Sequence, residues 1–213
     1  MGAGQPHDVS PGLLAEIAQL VHPQPQRDKE DAVDHNTVVE DWRRNAASHD
    51  DENYEFLRSL KFRDYGFDPD ELAAELHVRV FRAVDCTRCA NCCKTLDIKV
   101  TSSDGERIAE HLNVTTKEFA EAYLETDEFG EQKLRQRPCP FLGEDDRCQI
   151  YSVRPADCRE YPHTDKKWFT SRTITHANNA LTCPAVFWIV EQMRIRSRNP
   201  RPKPRRSDSR SRR

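Results

Sequence analysis

Eight cysteines carry the plainest chemistry in this chain of 213 residues. The first group reads Cys86-Thr87-Arg88-Cys89-Ala90-Asn91-Cys92-Cys93. A two-residue spacer lets a tight turn aim two thiolates at one ion, as in zinc knuckles and iron–sulfur loops. Here that spacing occurs twice in series, Cys86/Cys89 and Cys89/Cys92. Adjacent side chains diverge, so Cys93 is expected to serve a second centre, or a different atom of a multinuclear one. The remaining thiols are Cys139, Cys148, Cys158 and Cys183. A turn predicted over Gly143-Glu144-Asp145-Asp146 would bring Cys139 and Cys148 together, and Cys158 is predicted to lie on a short helical turn. Eight thiolates suffice for two closed sites of four, or for one cluster plus a further ion. An even count also allows four disulfides, but those need an oxidising compartment. The first 26 residues hold no Lys or Arg and no apolar export segment, so a cytoplasmic location is expected. All eight cysteines are therefore expected to be ligands for zinc or iron, with an iron–sulfur cluster as one form of the latter.

The residues around the thiols sort less sharply. Arg88, Lys94, Arg137, Arg147, Arg154 and Arg159 lie close in sequence and could offset thiolate charge. His163 and His176 are expected to be ordinary surface or core residues, and Glu160 a solvated acid. Tyr151 and Tyr161 are expected to pack over the cysteine loops with each hydroxyl partnered. Trp168, Phe169, Phe187 and Trp188 read as core. No Ser/His/Asp arrangement, HExxH or P-loop is present.

The elements that must position these groups read as mostly helical. Ser10-Pro11-Gly12 opens a short N-terminal helix, and residues 23–50 are polar and acidic enough to read as a linker or arm. A helix is predicted over Asp51–Phe62. Asp68-Pro69 opens another, with Leu72, Leu76, Val80 and Val84 on one face. Leu96–Val100 alternates like a half-buried strand. Ser103/Glu106 and Thr115/Glu118 fit capping boxes. Cys148–Tyr151 reads as a short strand, and Thr182-Cys183-Pro184 opens a last helix. The fold class is thus α+β and mostly helical: residues 1–50 a helix plus acidic arm, 51–193 a small metal-stapled domain with short strands and loops, 194–213 a disordered basic tail.

Composition and charge bear on the partners. Leu, Ile, Val and Phe number 42 of 213, near the level below which a chain struggles to offset its ordering entropy. No apolar run reaches the ~20 residues of a membrane helix, so no membrane partner is expected. Net charge is −3, but Arg194–Arg213 holds ten Lys/Arg against one acid, leaving the rest at −12. Such a tail could contact nucleic acid or an acidic protein surface, although it lacks aromatics for base stacking.

The segments Cys86–Cys93, Pro138-Cys139-Pro140-Phe141-Leu142, Cys148-Gln149-Ile150-Tyr151, Arg154-Pro155, Cys158-Arg159-Glu160-Tyr161-Pro162 and Cys183-Pro184 occur in order. Together they resemble the CxxCxxCC cysteine-cluster family, the YkgJ-type zinc- or iron-chelating domain. The resemblance implies a small cytosolic metal-binding domain. Some longer relatives are flagellin lysine N-methylases with an iron–sulfur cluster. This chain has neither a glycine-rich loop after a predicted strand nor a CxxxCxxC triplet. Three functions follow as expectations: a structural or metal-handling zinc or iron protein, an iron–sulfur enzyme such as a protein lysine N-methylase or redox protein, and a nucleic-acid-binding module using the tail.

Overall fold

A computed structural model describes residues 33–199. The expected N-terminal helix and most of the basic tail lie outside the described residues. The first described helix is α1 (His35–Asn45), where a linker was expected. Local and tertiary causes both act there. The Asp34 carboxylate caps it by accepting from the Thr37 amide at 2.9 Å, and Val38 and Val39 are buried on one face. Trp42 Nε1 also donates to the Ala180 carbonyl at 3.1 Å. A polar composition concealed an apolar stripe that only a partner helix could use.

Next come α2 (Asp50–Ser59) and α3 (Pro69–Ala83). Asp68 caps α3 by accepting from the Asp70 and Glu71 amides, with Pro69 pre-set at the first helical position. Leu76, Val80 and Val84 are buried as their spacing required. Two later helices complete this half: α9 (Thr173–Thr182) and α10 (Pro184–Arg198). Nothing in the sequence reading anticipated α9. Helix α10 runs through the middle of the group, touching α1, α2, α3 and α9. Its Ala185, Val186, Ile189, Val190 and Met193 are wholly buried.

A second core is built from shorter pieces. It comprises α6 (Ser102–Leu112), α7 (Thr116–Tyr123) and a hairpin pairing β1 (Leu124–Thr126) with β2 (Gln132–Leu134) antiparallel, Leu124 opposite Leu134. Thr115 and Glu118 form the expected capping box, but α6 is capped by Thr101 with Asp104, two residues earlier than predicted. In the 96–100 segment Ile98 and Val100 are buried while Asp97 and Lys99 are exposed, as the alternation required. It borders β2 through Leu134 N–H to the Ile98 carbonyl at 2.9 Å and makes only an isolated bridge. Cys148–Tyr151 likewise bridges to Leu142 and then enters a 3-10 turn instead of continuing as a strand.

Two other expectations need correction. Trp168 is 74% exposed, because Asp70 accepts from the Trp168 and Phe169 amides and thereby holds Trp168 at a positive φ of 64°. Phe169 and Phe187 are core, while Trp188 is only partly buried against it. Arg194 is not part of a tail: it lies in α10, buried, paired with Glu52 and with Glu191. Among the described residues no helix is long and apolar enough to cross a membrane.

Candidate metal centre

The chain reaches the first cysteines directly from the end of α3. Two short helical turns follow, α4 (Cys86–Cys89) and α5 (Asn91–Thr95), separated by Ala90 in the left-handed region at φ 49°. The Asp85 side chain accepts from the Thr87 amide to start the first turn. Asn91 Nδ2 donates to the Thr182 carbonyl at 2.6 Å, which draws this loop to the start of α10 and so to Cys183. Cys92 and Cys93 are consecutive on α5, so their side chains leave the helix about 100° apart.

The other thiols are brought in by equally local devices. Cys139 donates its amide to the Cys93 carbonyl at 2.8 Å. The turn after it closes as predicted, with Gly143 N–H to the Arg147 carbonyl at 2.8 Å. A Cβ on Gly143 would sit only 3.3 Å from that carbonyl oxygen, which explains the glycine. Lys94 Nζ binds Asp146 at 2.7 Å and fastens the turn to α5. Cys158 lies on α8 (Ala156–Glu160), as expected. The Asp157 carboxylate ties this turn to the 96–100 segment by accepting from the Lys99 amide at 3.0 Å. Buried Asp104 ties it to α6 by accepting from the Ala156 amide at 3.1 Å.

Among these thiols Cys93 acts on both sides: on Cys92 and Cys86, and on Cys139, Cys148 and Cys158. Cys183 is influenced by Cys86 and Cys89, and Cys92 first by Cys93 and then by Cys183 and Cys86. Cys158 is influenced by Cys93, Cys139 and Cys148, and Cys139 by Cys93 and Cys148. We call Cys86, Cys89, Cys92 and Cys183 the first group, and count Cys93 with Cys139, Cys148 and Cys158 as the second because its carbonyl accepts from the Cys139 amide, while its thiol also acts on Cys92 and Cys86. Cys183 packs on the helical core, whereas Cys139, Cys148 and Cys158 pack on the second core. All eight are free thiols.

Burial governs their protonation. It pushes Cys139 up to about 11, and Cys158 and Cys183 up to about 12, with neighbouring thiols adding to the effect. It also raises Cys86 and Cys148. Cys92 is raised chiefly by its hydrogen bond to Cys93, and the same bond lowers Cys93 to about 7. Backbone amides work in the opposite sense to burial: those of Phe141 and Leu142 face Cys139, and that of Ile150 faces Cys148. The Val186 and Ala185 amides face Cys183, though without the geometry of an ordinary side-chain cap. Amides aimed at sulfur favour thiolate, and a cation would supply the remaining compensation.

Of the six nearby cations, one acts on both groups. Arg154 lowers Cys86 in the first and Cys93 and Cys148 in the second. Its guanidinium lies 3.8 Å over the Tyr151 ring and donates to the Tyr151 carbonyl at 3.1 Å. Lys94 pairs with Asp146, Arg137 with Asp97 and Arg147 with Asp145. His176 is a core residue as expected, stacked on Phe169 at 4.1 Å, but both ring nitrogens lack partners. The Tyr161 hydroxyl is buried and likewise unpartnered, contrary to expectation.

A cavity of about 340 Å³ reaches thiols of both groups. Its walls include Phe81, Leu96, Phe141 and Ile150, with His77, Arg154, Tyr161 and Lys166 as polar members. Sequence spacing had no means of signalling His77, 81 positions from Cys158 by chain but on the same cavity wall.

The donor set is that of a thiolate metal centre: soft sulfur, four donors per group, amides aimed at three of them, and a shared guanidinium. The thiols are gathered but not closed. Among the described residues no three His, Cys, Asp or Glu side chains are arranged to hold an ion as they stand, so ligation would require side-chain rotation. Residues 85–184, somewhat under half of the chain, match the CxxCxxCC family, described as a putative zinc- or iron-chelating domain. No curated protein and no solved structure matches the chain.

Proposed function

With residues 85–184 matching the CxxCxxCC family, we propose that this protein binds two zinc or iron ions and uses them to fasten its two cores together. Cys86, Cys89, Cys92 and Cys183 would hold the first ion, and Cys93, Cys139, Cys148 and Cys158 the second. The single observation that carries this reading is that Cys183 packs on the helical core while Cys139, Cys148 and Cys158 pack on the second, with the Cys139 amide bound to the Cys93 carbonyl. The first set joins the end of α3 to the start of α10; the second joins α5 to the loops on the second core. Structural zinc contributes an apparent ~10–16 kcal/mol in small peptides at neutral pH, which is comparable to the whole net stability of a domain. A bound ion supplies the positive charge that lets buried thiols deprotonate.

The test is elemental analysis under reducing conditions, with serine variants of one cysteine from each set. Wild type is expected to carry two equivalents, and Cys183→Ser and Cys158→Ser to lose one each. A wild-type chain that takes up no metal, or two variants that each lose both equivalents with the fold intact, refutes the division.

A second reading has a specific observation in its favour. The cavity reaches Cys86, Cys92, Cys93, Cys139, Cys148 and Cys158, which suits an iron–sulfur centre approached by a small molecule or redox partner. Acid-labile sulfide and visible absorption would support it; colourless protein with two zincs would oppose it.

A further inference from the structure

We propose that Tyr161 donates its hydroxyl hydrogen to a thiolate of the first metal centre, so that this tyrosine governs how firmly one of the two ions is held. The inference rests on the two-ion reading above and adds an asymmetry to it. The Tyr161 oxygen is buried and has no hydrogen-bond partner. A buried hydroxyl left unpaired is costly, so one beside thiols calls for the acceptor that their deprotonation on metal binding creates. Its electrostatic neighbours are Cys183, Cys92, Cys89 and Cys86. These are the four members of the first set. Its side chain also lines the cavity, whose walls hold Cys86 and Cys92 of the first set together with the four thiols of the second.

The position is set by elements that do not depend on the thiols. The Tyr161 amide donates to the Asp157 carbonyl at 3.1 Å, closing the α8 turn. The following loop is held by Asn179 Nδ2 donating to the Pro162 carbonyl at 3.4 Å. Tyr161 therefore stands three residues after Cys158, a member of the second set, while its hydroxyl belongs to the first. A free phenol ionises near pH ~10 and so keeps its proton at neutral pH, where thiols bound to a metal have lost theirs. It can then act only as donor to sulfur. Such a bond withdraws charge from the thiolate and fixes its rotamer, and removing a partner of this kind typically costs about 10–100-fold in metal affinity.

The experiment is metal release from the fully loaded chain into a colorimetric chelator, comparing wild type, Tyr161→Phe and Tyr151→Phe. In wild type two equivalents leave. Tyr161→Phe is expected to speed one equivalent by roughly 10–100-fold and leave the other unchanged. The accelerated equivalent should be the one that Cys158→Ser retains. Tyr151→Phe, whose ring is half exposed, is expected to match wild type. Unchanged release from Tyr161→Phe, or equal acceleration of both equivalents, overturns the proposal while leaving two-ion binding in place. Loss of one equivalent outright on loading would make the phenol a ligand, which also overturns it. A wild-type chain that binds no metal overturns both readings. Should Tyr161→Phe fail to fold, fluorotyrosine incorporation keeps every side chain and strengthens the donor. Release of the equivalent that Cys158→Ser retains is then expected to slow, and no change counts against the proposal.

Discussion

Asp104 is the peg on which the second thiol group hangs, and removing it should loosen both the fold and that group. The residue is 1% exposed. Its carboxylate accepts from Thr101 Oγ1 at 2.6 Å, Arg107 Nη2 at 2.5 Å and the Ala156 amide at 3.1 Å. Ala156 begins the helical turn bearing Cys158, and Arg107 also donates to the Arg154 carbonyl at 3.1 Å. One carboxylate thus anchors Cys158 directly and the backbone of the shared cation indirectly. Burial pushes the carboxyl up, but hydrogen bonds from Thr101, Arg107 and Ala156 outweigh it and hold it below its ordinary 3.8. The group is therefore ionised in both states at pH 7, its contribution is fully present there, and it is lost only as pH falls through the lowered value. Asp104→Ala leaves the Ala156 amide and the guanidinium without their acceptor. Breaking a buried ion pair from one side costs about 3–5 kcal/mol; Arg107 is one-third exposed and water can reach it, so the lower end, about 3 kcal/mol, is expected. Asp104→Asn keeps an acceptor but not the charge and should cost about half as much. Urea unfolding at pH 7 with metal buffered at one free concentration measures this, provided the denaturant slope is unchanged. Metal release from the Cys158 set should quicken in parallel. An Asp104→Ala loss below about 1 kcal/mol, on the scale of an exposed ion pair, would refute the reasoning.

His176 should give the protein a pH limb of its own. Burial, with Arg172 and His163 adding to it, lowers this imidazole from 6.5 to about 4. The native chain then binds fewer protons than the unfolded one between those values, so stability falls as pH falls through that window, by up to ~3 kcal/mol. His176→Leu should flatten the difference between urea curves at about pH 7 and about pH 5. Ile189→Ala, at the wholly buried centre of α10, should cost about 2–5 kcal/mol, seen as a lower urea midpoint. Arg154→Met should weaken retention of both ions by roughly tenfold each, whereas Arg147→Met should weaken neither, read by chelator competition. Asp70→Ala should accelerate hydrogen exchange at the Trp168 and Phe169 amides, which now donate to its carboxylate at 2.7 and 2.8 Å.

What could be read without coordinates was whatever a few neighbouring residues decide among themselves. The Asp68-Pro69 start of α3, the Thr115/Glu118 capping box and the turn at Gly143 all depend on backbone groups within about four positions. So the eight thiols and the local turns that carry them were legible in the order of residues alone. The capping box at 101–104 was placed two residues late because Ser103/Glu106 offers the same local chemistry, and packing decided between them. Tertiary structure alone brought Cys183, 90 positions beyond Cys93, within the influence of Cys86 and Cys89. It also took His35–Asn45 from a polar stretch into a helix packed on α10, buried Arg194, exposed Trp168 and left the Tyr161 hydroxyl buried without a partner. Those outcomes turn on free energies of contact between segments far apart along the chain. Spacing and composition carry no record of such contacts, because desolvation and charge compensation act through space.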